Sequence, residues 1–325
     1  MSAKKCFSIV VPVYQNEANI DSTVEALTGL RSQLPNYSLQ IVFVNDGSTD
    51  RSYELLHANL ERHPDVITLV NLTRNFGQTP AIREGFRFAR GDCVGVISAD
   101  LQEPCELFVE MIRRWESGKK LVIAERTARE EGVVHRFVSG LYWKMVARWG
   151  VKGFPQGGYD FCLIDRQVVH ELNGIGEKNT SIFPLIYWLG YDCDVLSCTR
   201  RKRSEGKSQW TLSKKIRLTV DTFINFTYLP VQFISFIGIA AFLSSLAYGL
   251  FLLVRFMVSG AAPQGWTSLA LLIIGFGGLI LLSLGIISEY LWRILDESRQ
   301  RPGSIVDEVV NLSLDVNMDQ AGRAA

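Results

Sequence analysis

The chain has 325 residues, room for one large folded domain and an appendage. Its 34 basic and 33 acidic residues leave a net charge of +1, so whole-chain charge gives no reason to expect nucleic acid or an acidic partner. Mean hydropathy is positive, unusual for a soluble enzyme, and the excess lies mainly in residues 222–290.

Lys4 and Lys5 precede a short apolar run that contains Pro12 and leads into Gln15-Asn16-Glu17 without a small-residue cleavage site. It reads as a first buried strand and not as a signal peptide, which keeps the soluble part in the cytosol. Residues 7–14, 39–44, 66–72, 93–97 and 120–124 predict strands. Residues 17–33, 50–62, 79–89 and 104–117 predict helices, with Asp50 capping the second and Pro104 in the first turn of the fourth. Near-continuous apolar strands separated by helices predict an α/β fold, a doubly wound and mostly parallel sheet. Ligands of such sheets bind beyond the carboxyl ends of the strands.

After residue 126 this alternation stops. A basic stretch, 126–136, leads into an aromatic helix, 137–149, then a Gly-rich loop, 153–159, and Asp160-Phe161. Residues 166–190 read as helix in two pieces. The segment 195–203 carries Arg200, Arg201, Lys202 and Arg203, and the loop 204–210 and a helix at 212–226 follow. Six cysteines (Cys6, Cys93, Cys105, Cys162, Cys193 and Cys198) form no C-x-x-C pair, and four sit in strand-like apolar runs. They read as reduced, buried thiols and not as a disulfide or metal framework.

Residues 231–254 and 266–288 are each apolar for long enough to cross a hydrocarbon core, and a short breaker-rich connection, 259–265, makes them a hairpin. Lys214, Lys215 and Arg217 precede the pair, Arg293, Arg299 and Arg301 follow it, and the connection has no Lys or Arg. This bias places both ends in the cytoplasm. Residues 214–226 interleave charged and apolar side chains, as in a helix lying in the headgroup plane; a helix packed on the soluble domain would show the same pattern. The expected organisation is a cytosolic domain at 1–210, an amphipathic juxtamembrane segment at 211–230, two transmembrane helices at 231–290 and a cytosolic tail at 291–325.

Two strand ends carry candidate chemistry. Asp46, followed by Gly47-Ser48-Thr49, can accept hydrogen bonds from a nucleobase or ribose, although Asp-Gly-Ser also makes an ordinary turn. Asp100 and Gln102 bear oxygens two residues apart, and on an extended segment both would point one way. That suits Mg²⁺ or Mn²⁺ shared with phosphates; a helix N-cap cluster before Pro104 is the alternative.

The motifs Val11-Pro12-Val13-Tyr14-x-Asn16-Glu17, Val44-Asn45-Asp46-Gly47-Ser48-x-Asp50, Arg74-Asn75-Phe76-Gly77, Ala99-Asp100-Leu101-Gln102-x-Pro104 and Asp160-Phe161-x-Leu163-x-Asp165-Arg166, taken in order, resemble family 2 glycosyltransferases. The resemblance is to their polyprenyl-phosphate branch and extends through the hairpin to Gly285-x-x-x-Glu289-Tyr290-x-x-Arg293. It implies a GT-A fold and transfer of a sugar, with inversion, from a nucleotide-sugar to a polyprenyl (undecaprenyl) phosphate. A UDP-sugar is favoured over a GDP-sugar, with glucose the first guess.

The resemblance also implies roles for particular residues. Pro12, Tyr14, Glu17, Asp46, Asp100 and Arg203 would bind the donor, with Asp46 on the base and Arg203, near Gly206-x-Ser208-x-Trp210, on the diphosphate. Asp100 and Gln102 would hold Mg²⁺ or Mn²⁺. Arg126, Arg136 and Ser139 would hold the acceptor phosphate, and Asp160 would face the sugar; Asp100, Asp160 and Arg126 form the catalytic set. A basic headgroup-binding face for the arginines and a structural turn for Asp160 are the plainer alternatives. The setting implied is a bacterial cytoplasmic membrane and cell-envelope glycan modification, with a flippase and a homo-oligomer as further partners and no nucleic acid. Two departures stand out: Ser98 where the family has Asp, and Gln209 before Trp210 where it has Lys or Arg, with Lys207 nearby. Ser98 is the feature that would favour the rival reading, a non-catalytic sugar-nucleotide binder or flippase scaffold.

Overall fold

The computed structural model describes residues 4–128, 151, 153–155, 158–178, 180–199, 229–259 and 265–311. The chain divides into two compact units, Met1–Leu218 with Pro302–Ala325, and Thr219–Arg301.

The first unit holds an eight-stranded mixed sheet. Its strands are β1 (Lys5–Val13), β2 (Tyr37–Asn45), β3 (Ile67–Leu72), β4 (Cys93–Val96), β5 (Leu121–Ala128), β6 (Cys162–Asp165), β7 (Cys193–Thr199) and β8 (Val306–Val310), in the order β7-β5-β6-β4-β1-β2-β3-β8. The central strands β1, β2 and β4 are buried along nearly their whole length, because helices cover both faces and leave no side for polar residues. The helices are α1 (Ile20–Gln33), α2 (Ser52–Arg62), α3 (Gln78–Phe88), α4 (Leu107–Glu116), α5 (Arg166–Gly174) and α6 (Ile182–Trp188). Pairings β1–β2, β1–β4, β2–β3 and β5–β7 are parallel. Pairings β4–β6, β5–β6 and β3–β8 are antiparallel.

The predicted α/β fold therefore stands, with three strands added. β6 is four residues long, too short for its period to register. β7 alternates burial along an edge, and β8 lies within the segment read as a tail. The fourth helix begins at Leu107 and not at Pro104, because residues 104–109 first form tight turns from Pro104, Cys105 and Glu106. Phe108 from that helix packs edge-on against Phe7 at 5.1 Å and Phe161 at 4.7 Å, joining β1, α4 and the start of β6.

The second unit consists of α7 (Leu229–Ser259) and α8 (Trp266–Ser298), 31 and 33 residues long. Windows Gln232–Phe251 and Gly275–Ser298 are long and apolar enough to cross a membrane, and neither is buried. Phe236, Val258 and Leu281 are 70%, 84% and 71% exposed. A core helix of a soluble protein would be covered; two long apolar windows left uncovered fit a membrane association.

Candidate active site

The parallel core reverses direction at β1. From β1 the chain steps to β2 and β3 on one side, and then places β4 on the other. β1–β4 pairing ends at Val10↔Val96, whereas β1–β2 pairing continues to Val13↔Asn45. The strands separate at this switch point, where open α/β sheets bind ligands. Pro12, which has no N–H to donate, lies just beyond the last β1–β4 pair. Half-buried Tyr14 and exposed Glu17 continue the loop from β1. The Glu17 N–H donates to Asp50 at 3.2 Å and its carboxylate accepts from the Arg51 N–H at 3.1 Å, tying this loop to the start of α2.

Asp46, 3% exposed, directly follows β2. One carboxylate oxygen accepts the Phe76 N–H at 2.7 Å and the other accepts the Gly77 N–H at 2.9 Å. Burial pushes its pKa up and the two amides pull it part of the way back, leaving it raised. Gly47 has φ +61°, and a Cβ there would lie 2.3 Å from the Arg74 carbonyl carbon. The loops after β2 and β3 therefore meet backbone to backbone, held by Asp46, and the Arg74 guanidinium lies 4.5 Å over the Phe76 ring. Asp46 was expected to serve a ligand; this duty toward its own chain leaves no local signal, because its partners lie 30 and 31 residues away.

On the β4 side Asp100 and Gln102 do not sit on an extended segment as expected. Leu101, between Asp100 and Gln102, is left-handed with φ +46°, and its N–H donates back to the Ser98 carbonyl at 3.4 Å. The loop turns because Thr23 of α1 pins the Ala99 carbonyl at 2.7 Å while Pro104 starts the next turns. Sequence reasoning missed Glu103, which is 2% exposed. The Ser98 hydroxyl lies 2.6 Å from Asp100 Oδ1 and 2.9 Å from Glu103 Oε2. A hydroxyl has one proton to share between these two carboxylates. Among the described residues no group of three or more His, Cys, Asp or Glu is placed to hold a metal. Asp100 and Gln102 still fit Mg²⁺ or Mn²⁺ as hard oxygen donors, since such ions take one or two carboxylates and fill the remaining positions with phosphate oxygens and water.

β6 brings in the third acid. Cys162 pairs with Val96 on β4 and Ile123 on β5, so Asp160, two residues earlier, reaches the same edge as Ser98. Buried Phe161, on the Phe108 ring, fixes the approach, and its carbonyl accepts the Ala124 N–H at 3.0 Å. Arg126 lies on β5 opposite Cys198 of β7. Asp165, at the far end of β6, is structural. It caps α5 through the Gln167 N–H, accepts from Trp115 at 2.7 Å and pairs with Lys120 at 2.9 Å. The edge thus gathers Pro12, Tyr14, Glu17, Asp46, Asp100, Gln102, Asp160 and the Arg126 backbone. Arg136, Ser139, Arg203, Lys207, Gln209 and the segment 214–226, expected as an interfacial helix, lie outside the described residues.

A mixed sheet with acidic loops at its parallel switch point is a GT-A-type arrangement. Residues 8–172 match the profile of glycosyl transferase family 2. The chain is 35% identical over 310 residues to the uncharacterized glycosyltransferase YkcC of Bacillus subtilis strain 168, covering 95% of each chain. It is 31% identical to the bactoprenol glucosyl transferase of Shigella phage SfV, covering 92% of this chain and 97% of the relative. In outline it resembles the mannosyltransferase PcManGT from Pyrobaculum calidifontis in complex with GDP-Man and Mn²⁺, at 16% identity and TM-score 0.45, over 91% of this chain and 88% of that one. The chain belongs to glycosyl transferase family 2, and its activity is glycosyl transfer.

Proposed function

We propose that the protein transfers a sugar, with glucose the first candidate, from a nucleotide-sugar to a polyprenyl phosphate at the cytoplasmic face of a bacterial inner membrane. The observation that carries this reading is the match to a bactoprenol glucosyl transferase across 92% of the chain, a span that takes in the apolar helix pair. The basic flanks, Lys214, Lys215 and Arg217 before the pair and Arg293, Arg299 and Arg301 after it, set the orientation, and connectivity supports a hairpin: β8, after α8, joins the same sheet as the strands before α7. A bilayer crossed by both helices then has both chain ends on the sheet's side.

In this reading the nucleoside lies at the Asp46 edge and the diphosphate at Asp100, two strand spacings or about 10 Å away. UDP is favoured over GDP. The acceptor is a phosphate monoester with a second pKa of about 6, largely dianionic at cytosolic pH, so it attacks the anomeric carbon without a strong general base. Catalysis then depends on positioning the phosphate opposite the leaving diphosphate, which gives inversion. Arg126, Arg136 and Ser139 hold the acceptor phosphate, since guanidinium matches phosphate oxygens in pairs. Arg203 donates to the diphosphate, and Asp160 faces the sugar, where it stabilises positive charge developing at the anomeric carbon. Asp100 and Gln102 would hold a divalent ion, which would supply positive charge at the leaving diphosphate.

Purified full-length protein, polyprenyl phosphate and a panel of UDP- and GDP-sugars test this together. Expected is lipid-linked sugar with release of one nucleoside diphosphate, abolished by EDTA and by Asp100→Asn. Nucleotide binding without turnover on any donor would refute the transferase reading and favour a binder or flippase scaffold.

A further inference from the structure

We propose that β8, the strand that follows the apolar helix pair, is a positioning element of the donor site and acts through a polar relay, Asp307–Asn71–Asn45. This rests on the reading that the Asp46 edge binds a nucleotide. β8 pairs with β3 from Leu69↔Val310 to Leu72↔Val306, and the register shifts between Asn71 and Leu72. Its approach is anchored where the Ser304 hydroxyl donates to buried Glu84 at 2.6 Å and the Thr73 N–H donates to the Ile305 carbonyl at 3.1 Å. The Tyr53 hydroxyl adds a bond to Glu308 at 2.8 Å.

From this strand a directed chain of hydrogen bonds crosses the sheet edge. The Asn71 amide donates to Asp307 Oδ2 at 3.2 Å. The Asn45 amide donates to Asn71 Oδ1 at 2.8 Å. Asn45 Oδ1 accepts the Ser48 N–H at 3.4 Å, and the Ser48 hydroxyl accepts the Gln15 N–H at 3.1 Å. The chain therefore ends in the two loops that carry Tyr14 and Asp46.

Its direction follows from donor and acceptor chemistry. An ionised carboxylate only accepts, so Asp307 requires the NH₂ of Asn71. That turns the Asn71 oxygen toward Asn45, which must then offer its own NH₂ and keep its oxygen for the Ser48 N–H. Asp307 thus selects the orientation of two amides, one of them on Asn45, 2% exposed. A donor at position 307 would favour the reversed amides and set the Asn45 NH₂ against the Ser48 N–H.

The test uses full-length protein in detergent, with UDP and GDP titrated calorimetrically, thermal unfolding followed in parallel, and amide exchange read at Ser48. Asp307 is exposed on an edge strand, so its variants are expected to fold. Asp307→Asn keeps an acceptor and should bind the preferred nucleotide within about twofold of wild type. Asp307→Ala should bind it roughly two- to tenfold more weakly, with faster Ser48 exchange, and Asp307→Lys more weakly still. At saturating donor kcat should hold while donor KM rises. Equal nucleotide affinity in wild type, Ala and Lys variants that unfold at the same temperature would overturn the relay alone. Absence of UDP and GDP binding by the wild type would overturn the nucleotide reading, and the relay with it.

Discussion

Asp46 has two possible duties, and replacing it separates them. In the structure its carboxylate accepts two backbone N–H groups, from Phe76 at 2.7 Å and Gly77 at 2.9 Å. Hydrogen bonds to a charged group contribute about 1.5–3 kcal/mol each, so the pair contributes roughly 3–6 kcal/mol gross. Burial of the carboxylate opposes this, which is why its pKa is raised despite both bonds. A net loss of about 2–4 kcal/mol in local stability is therefore expected for Asp46→Ala. At 1.4 kcal/mol per factor of ten, the loop after β3 should open about 30- to 700-fold more often. Hydrogen exchange at Phe76 and Gly77 in the full-length protein reads this opening directly, whereas global melting averages over two units. Asp46→Asn keeps one acceptor and should fall between wild type and Ala. Nucleotide affinity should fall with loop protection. If Asp46→Ala abolishes nucleotide binding and leaves exchange at both amides unchanged, the acid serves the ligand alone and the loop-holding argument fails.

Ser98→Asp would set a third carboxylate within about 3 Å of Asp100 and Glu103. It should lower the melting temperature in EDTA, regain stability on adding Mn²⁺, and bind Mn²⁺ more tightly by electron paramagnetic resonance; unchanged metal-free stability would contradict the packing described. Asp165 is opposed by burial, but Lys120, the Gln167 N–H and Trp115 outweigh this and hold its pKa below the usual 3.8. Its contribution is full above that value and is lost as pH falls through the folded pKa, so Asp165→Asn should flatten the acid limb of stability against pH. A cysteine at Gln264 should react with an impermeant reagent from outside the cell and one at Gln300 should not; the reverse pattern would overturn the orientation. Arg126→Ala or Arg136→Ala should slow acceptor-dependent turnover about ten- to a hundredfold, with partial rescue by Lys and little change in donor affinity. Equal damage to donor binding would move these side chains to the diphosphate.

The parallel core and its acidic strand ends were legible because they are local. Strands such as residues 39–44 are apolar at nearly every position, and the acids Asp46 and Asp100 follow closely on two of them. The apolar helices were legible for the same reason, since length and composition alone decide whether a segment can cross a hydrocarbon core. β6 was not: four residues form a strand only because β4 and β5 flank them on either side.

Sequence by itself determined the α/β class, the edge where Asp46 and Asp100 emerge, and the apolar helix pair, since side-chain period and polarity are properties of neighbouring residues. The tertiary structure alone decided which groups those acids meet. It gave Asp46 to the amides of Phe76 and Gly77, set Glu103 beside Ser98, turned Leu101 left-handed between two expected ligands, and brought Asp307 to Asn71 across 236 residues. Such contacts arise from the order of strands in the sheet, and a hydrogen bond between distant residues imposes no period on the chain that makes it.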